Sequence, residues 1–314
     1  MLDCMESLDK IDYPKEKIEL LVVNDNSTDA TQEIIEEFTK GKSKFISLKS
    51  RKSIGELKGK ANAIANAMEI ATGEVIFTTD ADCIVKPDWV KTILSYYDDD
   101  VAGVFGFTHQ PGKSIFTKMQ SADLIYLLTV SSGRMNMDSP MSCIGNNMSY
   151  KRSVYDEVGG YEAIPFSVTE DYRLLREMIK LDKYKFRYPV DVNALVTTKP
   201  CPDLKTLYRQ KKRWSVGGLE AGRQGFSAML AGYFGNFLVL VLPFVFSWVT
   251  LGLVLTRFIS DYLFLKSMHK KLELEFSVIK LIYFEFYFFI YALLTPPVVI
   301  TSRNIVWKDS KFKR

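Results

Sequence analysis

Histidine is almost absent: His109 and His269 are the only two in 314 residues. A histidine-rich metal centre is therefore excluded, and a Ser-His-Asp triad has little to draw on. Cysteine is sparse too, with Cys4, Cys83, Cys143 and Cys201 far apart and no C-x-x-C spacing. That usage fits reduced thiols in a cytosolic compartment and not a disulfide framework. Charge of one sign is lacking, since 41 Lys+Arg face 37 Asp+Glu for a net +4. Nothing in that balance argues for nucleic acid. No secretory signal pattern opens the chain, because Met1 to Lys17 carries Asp3, Glu6, Asp9, Asp12 and Glu16. A phosphate loop is missing as well: Gly106 to Ser114 ends in Gly-Lys-Ser, but Phe107 stands where the spacing requires glycine. Asn26-Ser27-Thr28 and Asn147-Met148-Ser149 match the glycosylation sequon and read as chance matches in a cytosolic domain.

What is present is an alternation of β-type and helical runs. Ile18–Val23, Phe45–Leu48, Glu74–Thr78 and Val101–Phe105 read as strands, and Ala30–Lys40, Glu56–Ala71 and Trp89–Tyr97 as helices between them. Thr28 or Asp29 suits the N-cap of the first helix, and Gly41 its end. Such alternation predicts an α/β fold with a mostly parallel sheet, whose ligands sit beyond the C-terminal strand ends. Asp25, Asp80 and Asp82 fall there. The first run already leads into a site-like turn, so a preceding strand is expected to be missing. Ser114 to Val130 reads as a packing helix, Glu170–Leu181 as another, and Asp203 as the N-cap of a helix through Trp214.

Composition changes after Gly225. The uncharged run 237–255 is long enough to span a bilayer, and 279–300 forms a second span despite Lys280 and Glu285. The stretch 257–276 reads as interfacial or as a third, imperfect span. Basic residues before the apolar region (Lys199 to Arg213) and after it (Arg303, Lys308, Lys311, Lys313, Arg314) favour a cytoplasmic placement for both. Lys266, Lys270 and Lys271 between the spans weigh against that arrangement. The expected organisation is a domain over 1–225, a membrane region over 226–302 and a basic tail over 303–314.

The chemistry rests on carboxylates. Asp80 and Asp82, separated by Ala81 at the end of an apolar strand, point to one side and make a hard oxygen site suited to Mg²⁺ or Mn²⁺. Gln210, Arg213 and Trp214 fall at i, i+3 and i+4 and share a helix face. There a guanidinium can grip phosphate and an indole can offer an apolar platform. Plainer readings exist: Asp171 as an early-helix acid, Trp214 as an interface anchor, Asp25 as a turn former, Lys60 as a solvated helix charge.

Four motifs in order, Asp25-Asn26-Ser27-Thr28-Asp29, Asp80-Ala81-Asp82, Thr169-Glu170-Asp171 and Gln210-Lys211-Lys212-Arg213-Trp214, resemble those of family 2 glycosyltransferases, including cellulose, chitin and hyaluronan synthases. The resemblance covers about Leu2 to Trp214. It implies a GT-A fold followed by transmembrane helices, an inverting mechanism, a nucleotide-sugar donor (UDP-sugar favoured) and Mg²⁺ or Mn²⁺. Carried over by position, Asp171 is the general base. Asp25, Lys60, Asp80, Gln210, Arg213 and Trp214 serve the donor, and Asp82 with Asp80 holds the metal. Glu170, Cys143 and Gly145 lie on the acceptor side. The implied acceptor is a lipid-linked or other glycan at a bacterial inner membrane, with the catalytic domain cytoplasmic. Alternatives are a processive polysaccharide synthase, a catalytically impaired membrane protein retaining the fold, and a nucleotidyltransferase. The last gives no reason for the Thr-Glu-Asp and Gln-x-x-Arg-Trp pair.

Overall fold

The computed structural model describes residues 1–51, 53–218, 222–301, 304–307 and 310–313. They divide into two compact units, Met1–Thr108 with Ser131–Thr198, and His109–Val130 with Lys199–Arg314.

The first unit opens on helix α1 (Leu2–Asp9), absent from the strand–helix pattern read above. Its polar residues hide an amphipathic helix: Cys4, Met5 and Ser7 turn inward while Asp3 and Glu6 face out. Strand β1 (Leu20–Asn24) and β2 (Phe45–Lys49) pair in parallel, Asn24 opposite Lys49. Helix α2 (Thr31–Thr39) joins them. The Asp29 carboxylate accepts the Thr31 N–H at 3.1 Å at its start, and Gly41 leaves it with φ +76°.

Helix α3 (Lys60–Met68) leads to β3 (Val75–Thr78), and α4 (Trp89–Leu94) to β4 (Val101–Phe105). Helix α5 (Ile115–Asn136) carries the chain from the second unit back into the first. Strand β5 (Met148–Lys151), α6 (Arg152–Glu157), α7 (Gly160–Ala163), α8 (Glu170–Ile179) and β6 (Lys185–Arg187) follow. The four-stranded sheet has the order β3-β5-β4-β6. Strand β5, which hydropathy alternation did not reveal, runs antiparallel to both β3 and β4, whereas β4 and β6 are parallel. The sheet is therefore mixed. Among the described residues β1 and β3 are edge strands of separate sheets, half-buried along most of their length.

Every residue of β4 is buried, which is what a continuous apolar run in a covered sheet requires. Val101 and Val104 pack with Cys83, Val85, Trp89, Val90, Ile93, Ala194 and Val196. Each large apolar side chain contributes roughly 1.5–3 kcal/mol on burial. One polar group is set into this core. The Asn147 amide accepts from the Trp89 indole at 2.9 Å and donates to the Phe107 and Ala194 carbonyls at 2.7 and 2.8 Å. Its sequon is thus closed to modification in the folded chain, and the fully satisfied amide fixes the loop that precedes β5.

The second unit contains α9 (Leu204–Gly218), α10 (Gly222–Val241), α11 (Trp248–Lys271), α12 (Val278–Thr301) and a hairpin, β7 (Asn304–Trp307) with β8 (Ser310–Lys313). Of the basic tail, Arg303, Lys308 and Arg314 lie outside the described residues. Asp203 caps α9 by accepting the Thr206 N–H at 2.7 Å. Lys211 pairs with Asp123 of α5, the two side chains only 5% and 2% exposed, and its ammonium lies over the Trp214 and Tyr291 rings at 4.7 and 5.1 Å. Burial pushes the Asp123 carboxyl upward while Lys211 pulls it back. Removing one member of such a buried pair costs roughly 3–5 kcal/mol, so the pair pins α9 to α5.

The apolar region differs from the expectation in one respect. The uncharged run 237–255 is not one helix: α10 ends at Val241, a 3₁₀ turn follows at Leu242–Phe244, and α11 begins after Ser247. Pro243 lacks the N–H that helix continuation needs. Ser247 and Thr250 then form a capping box, each hydroxyl accepting the other's N–H at 3.1 and 2.9 Å. Among the described residues two helices are long and apolar enough to cross a membrane, Trp248–Lys271 and Val278–Pro297. The first of them lies further along the chain than the run 237–255 read as the first span. It absorbs most of the stretch 257–276 that was read as interfacial or imperfect. Two of its charges are compensated, since Arg257 pairs with Asp261 at 3.6 Å and with buried Glu285 of α12 at 3.1 Å. Trp248, 82% exposed, Phe286 and Leu294 leave wide apolar faces uncovered.

Candidate active site

In the first unit the chemically active residues gather where β3 ends. Thr78 is the last residue of β3, and Asp80, Ala81 and Asp82 form the turn after it. The Asp80 and Asp82 carboxylates and the Cys83 sulfur lie within 4.8 Å of one another. Burial first, then Asp80, pushes the Cys83 thiol up to about 12. The two carboxylates of the set are a donor pair that suits a hard divalent cation bringing its own waters or phosphate oxygens.

Lys60 is the first residue of α3, after Gly59 at φ +59°, a backbone region that a side chain rarely adopts. Its ammonium pairs with Asp80 and donates to the Gly145 carbonyl at 2.8 Å. Desolvation alone would lower its pKa, but the fields of Asp80, Glu170 and Asp171 outweigh it and hold Lys60 above its ordinary value. With its side chain 29% exposed, it is not the solvated helix charge of the plainer reading.

Gly145 is the hub of the cluster. Its carbonyl accepts from Lys60 and, at 2.9 Å, from the Thr78 hydroxyl, while its N–H donates to Asp171 Oδ2 at 2.6 Å. A Cβ here would stand 2.9 Å from both the Cβ and Oδ2 of Asp171, so glycine is required by space. Asp171 is the second residue of α8, and its Oδ1 accepts the Tyr172 N–H at 2.8 Å. Glu170 precedes it and, with Ala61 and Tyr161, lines a shallow pocket. Burial, then Asp171 and Glu170, raises the Cys143 thiol well above its usual range. The loop holding Gly145 is anchored on its other side by Asn147 and by Asn146, whose Oδ1 accepts the Thr108 hydroxyl at 2.8 Å.

Lys60, Asp80, Gly145 and Asp171 are thus brought together, with Asp82, Glu170 and Cys143 beside them. Asp25 stands at the end of β1, where its Oδ1 accepts the Ser50 hydroxyl at 2.8 Å. Gln210, Arg213 and Trp214 belong to the second unit, all half-buried on α9. Thr78 and Asn147 escaped the sequence reading. The signal for Thr78 was its place two residues before an acid at a strand end. For Asn147 it was a polar residue beside a buried strand.

The chain has the GT-A glycosyltransferase fold. The mannosyltransferase PcManGT from Pyrobaculum calidifontis, solved with GDP-Man and Mn²⁺, superposes on it with a TM-score of 0.61, over 96% of this chain and 83% of its own, at 16% identity. The glycosyl transferase family 2 model matches residues 1–159, just over half of the sequence, and the chain belongs to that family. The β-monoglucosyldiacylglycerol synthase of Synechocystis sp. (strain ATCC 27184 / PCC 6803 / Kazusa) is 24% identical over 220 residues, 69% of this chain and 44% of the relative. The poly-β-1,6-N-acetyl-D-glucosamine synthase of Staphylococcus epidermidis is 25% identical over 277 residues, 84% of this chain and 64% of the relative. The chain spans about half the length of the first curated relatives that it matches.

Proposed function

We propose that the chain is an inverting glycosyltransferase. It would move a sugar from a nucleoside-diphosphate donor, UDP-sugar first among candidates, to a hydroxyl of a membrane-associated lipid or glycan acceptor. Residues 1–225 would form the catalytic domain on the cytoplasmic face, 226–302 the membrane region and 303–314 the tail. The observation that carries this reading is the convergence of Lys60, Thr78 and Asp171 on the single residue Gly145, with Asp80 paired to Lys60 beside it.

Asp82 and Asp80 would hold Mg²⁺ or Mn²⁺. When bound, such an ion neutralises the negative charge that builds on the departing diphosphate. Lys60 supplies a second positive charge on the same side. Asp25 would meet the nucleobase, and Gln210, Arg213 and Trp214 the diphosphate and acceptor side. Asp171 would take the acceptor's proton as its oxygen attacks the anomeric carbon. The backbone N–H groups of Gly145 and Tyr172 already fix both of its oxygens, so the base is aimed before substrate arrives. Glu170, Cys143 and Gly145 would border the acceptor.

The test is a nucleotide-sugar panel with Mn²⁺ or Mg²⁺ and two acceptors, diacylglycerol in vesicles and a soluble oligosaccharide. Nucleoside diphosphate release should require the divalent ion. Release that persists unchanged after chelation would end the metal assignment. Similarity to the poly-N-acetylglucosamine synthase, which extends over 84% of this chain, favours a second reading as a processive synthase. Product length separates them, one sugar per acceptor against a polymer from the purified protein alone. Gly145→Ala gives a finer check. The added methyl must push the Asp171 carboxylate aside, and turnover should fall on the order of 10²-fold with donor affinity little changed. Wild-type turnover in that variant would mean that Asp171 is not held where the chemistry occurs.

A further inference from the structure

The ammonium of Lys60 takes one of the two carboxylates that the acidic turn offers to a cation. It is paired with Asp80, sits in the fields of Glu170 and Asp171, and is held by the Gly145 carbonyl at 2.8 Å. Its location needs explaining on electrostatic grounds. Lys60 is the first residue of α3, where the helix dipole disfavours positive charge. The surrounding carboxylates offset that cost only while the lysine stays among them.

We propose that Lys60 is the resident cation of this cluster and that it competes with the divalent ion for Asp80. This rests on the metal and donor reading given above. With Lys60 in place, a divalent ion approaching Asp80 meets a fixed positive charge and finds one ligand already engaged. The phosphates of a nucleoside diphosphate give the ammonium another anionic partner. The lysine then leaves Asp80 as the nucleotide enters, and metal and nucleotide bind with positive coupling. The coupling is reciprocal, so each ligand tightens the other by the same factor.

The experiment measures Mn²⁺ binding to the full chain in detergent, without any sugar donor, for the wild type, Lys60→Gln and Lys60→Arg, each with and without UDP. Lys60→Gln should bind Mn²⁺ alone about tenfold more tightly than the wild type, and Lys60→Arg should stay close to it. UDP should tighten Mn²⁺ binding about tenfold in the wild type and much less in Lys60→Gln. Equal or weaker Mn²⁺ binding by Lys60→Gln would overturn the proposal while leaving the glycosyltransferase reading intact. If Lys60→Gln does not fold, the wild type alone decides, because Mn²⁺ affinity unmoved by UDP is incompatible with competition. No Mn²⁺ binding by any of the proteins, with or without UDP, would remove this inference and the metal assignment together.

Discussion

Asp171→Asn should bind the nucleotide-sugar donor normally and lose turnover by about 10²–10⁴-fold, the usual worth of a positioned general base. The substitution is informative because it keeps the shape of the side chain. The amide oxygen can still accept the Gly145 N–H that Asp171 Oδ2 accepts at 2.6 Å, and α8 keeps its first turn. What disappears is the negative charge, the capacity to take a proton and the acceptor for the Tyr172 N–H, because the amide nitrogen only donates. A loss confined to kcat, with KM for the donor within about twofold, is the signature of an interaction made only in the transition state. Steady-state kinetics with saturating Mn²⁺ and acceptor measure it. Turnover within a few-fold of the wild type would return Asp171 to the status of an early-helix acid.

Asp82→Ala is expected to act at the opposite end of the site. Asp82 is exposed and lies in a turn, so its removal should leave the thermal midpoint nearly unmoved. Asp80 would remain, but it is shared with Lys60, and the divalent ion would lose the ligand that no lysine contests among the described residues. Donor binding should then lose its dependence on metal. Calorimetry with a UDP-sugar should give the same weak affinity with Mn²⁺ and with chelator, and kcat/KM should fall by on the order of 10²–10³-fold, the several kcal/mol typical of a Lewis acid at a leaving group. Metal-dependent donor binding that survives intact would move the metal site away from this turn.

Much of this arrangement was legible in the sequence because strand and helix ends advertise themselves. Asp80 and Asp82 follow an apolar run, and Asp171 follows an N-cap threonine, so their positions at element ends could be read from period and capping alone. The clamp on Gly145 could not. It joins residues 67 and 85 positions apart in one direction and 26 in the other, and no local pattern carries such a contact. Strand β5 was missed because Met-Ser-Tyr-Lys is too short to show alternation. The first membrane candidate was misplaced because hydropathy counts apolar side chains, whereas Pro243 and Ser247 act on the hydrogen bonding of the helix backbone. Lys60 shows a further limit, since a lysine opening a helix looks solvated until the carboxylates around it are seen.

The hydrogen bonds to Asp171 and to Lys60 leave from two successive peptide units that meet at the Gly145 Cα. A glycine turns freely about both of its backbone bonds, so the mutual tilt of the two units is held by the three side chains bonded to them. On the roles proposed above, altering Lys60 or Thr78 would release the carbonyl side of this hinge and is expected to loosen the aim of the Asp171 carboxylate as well. Asp25, tethered to Ser50 on the neighbouring pair of strands, is the safer handle for such engineering.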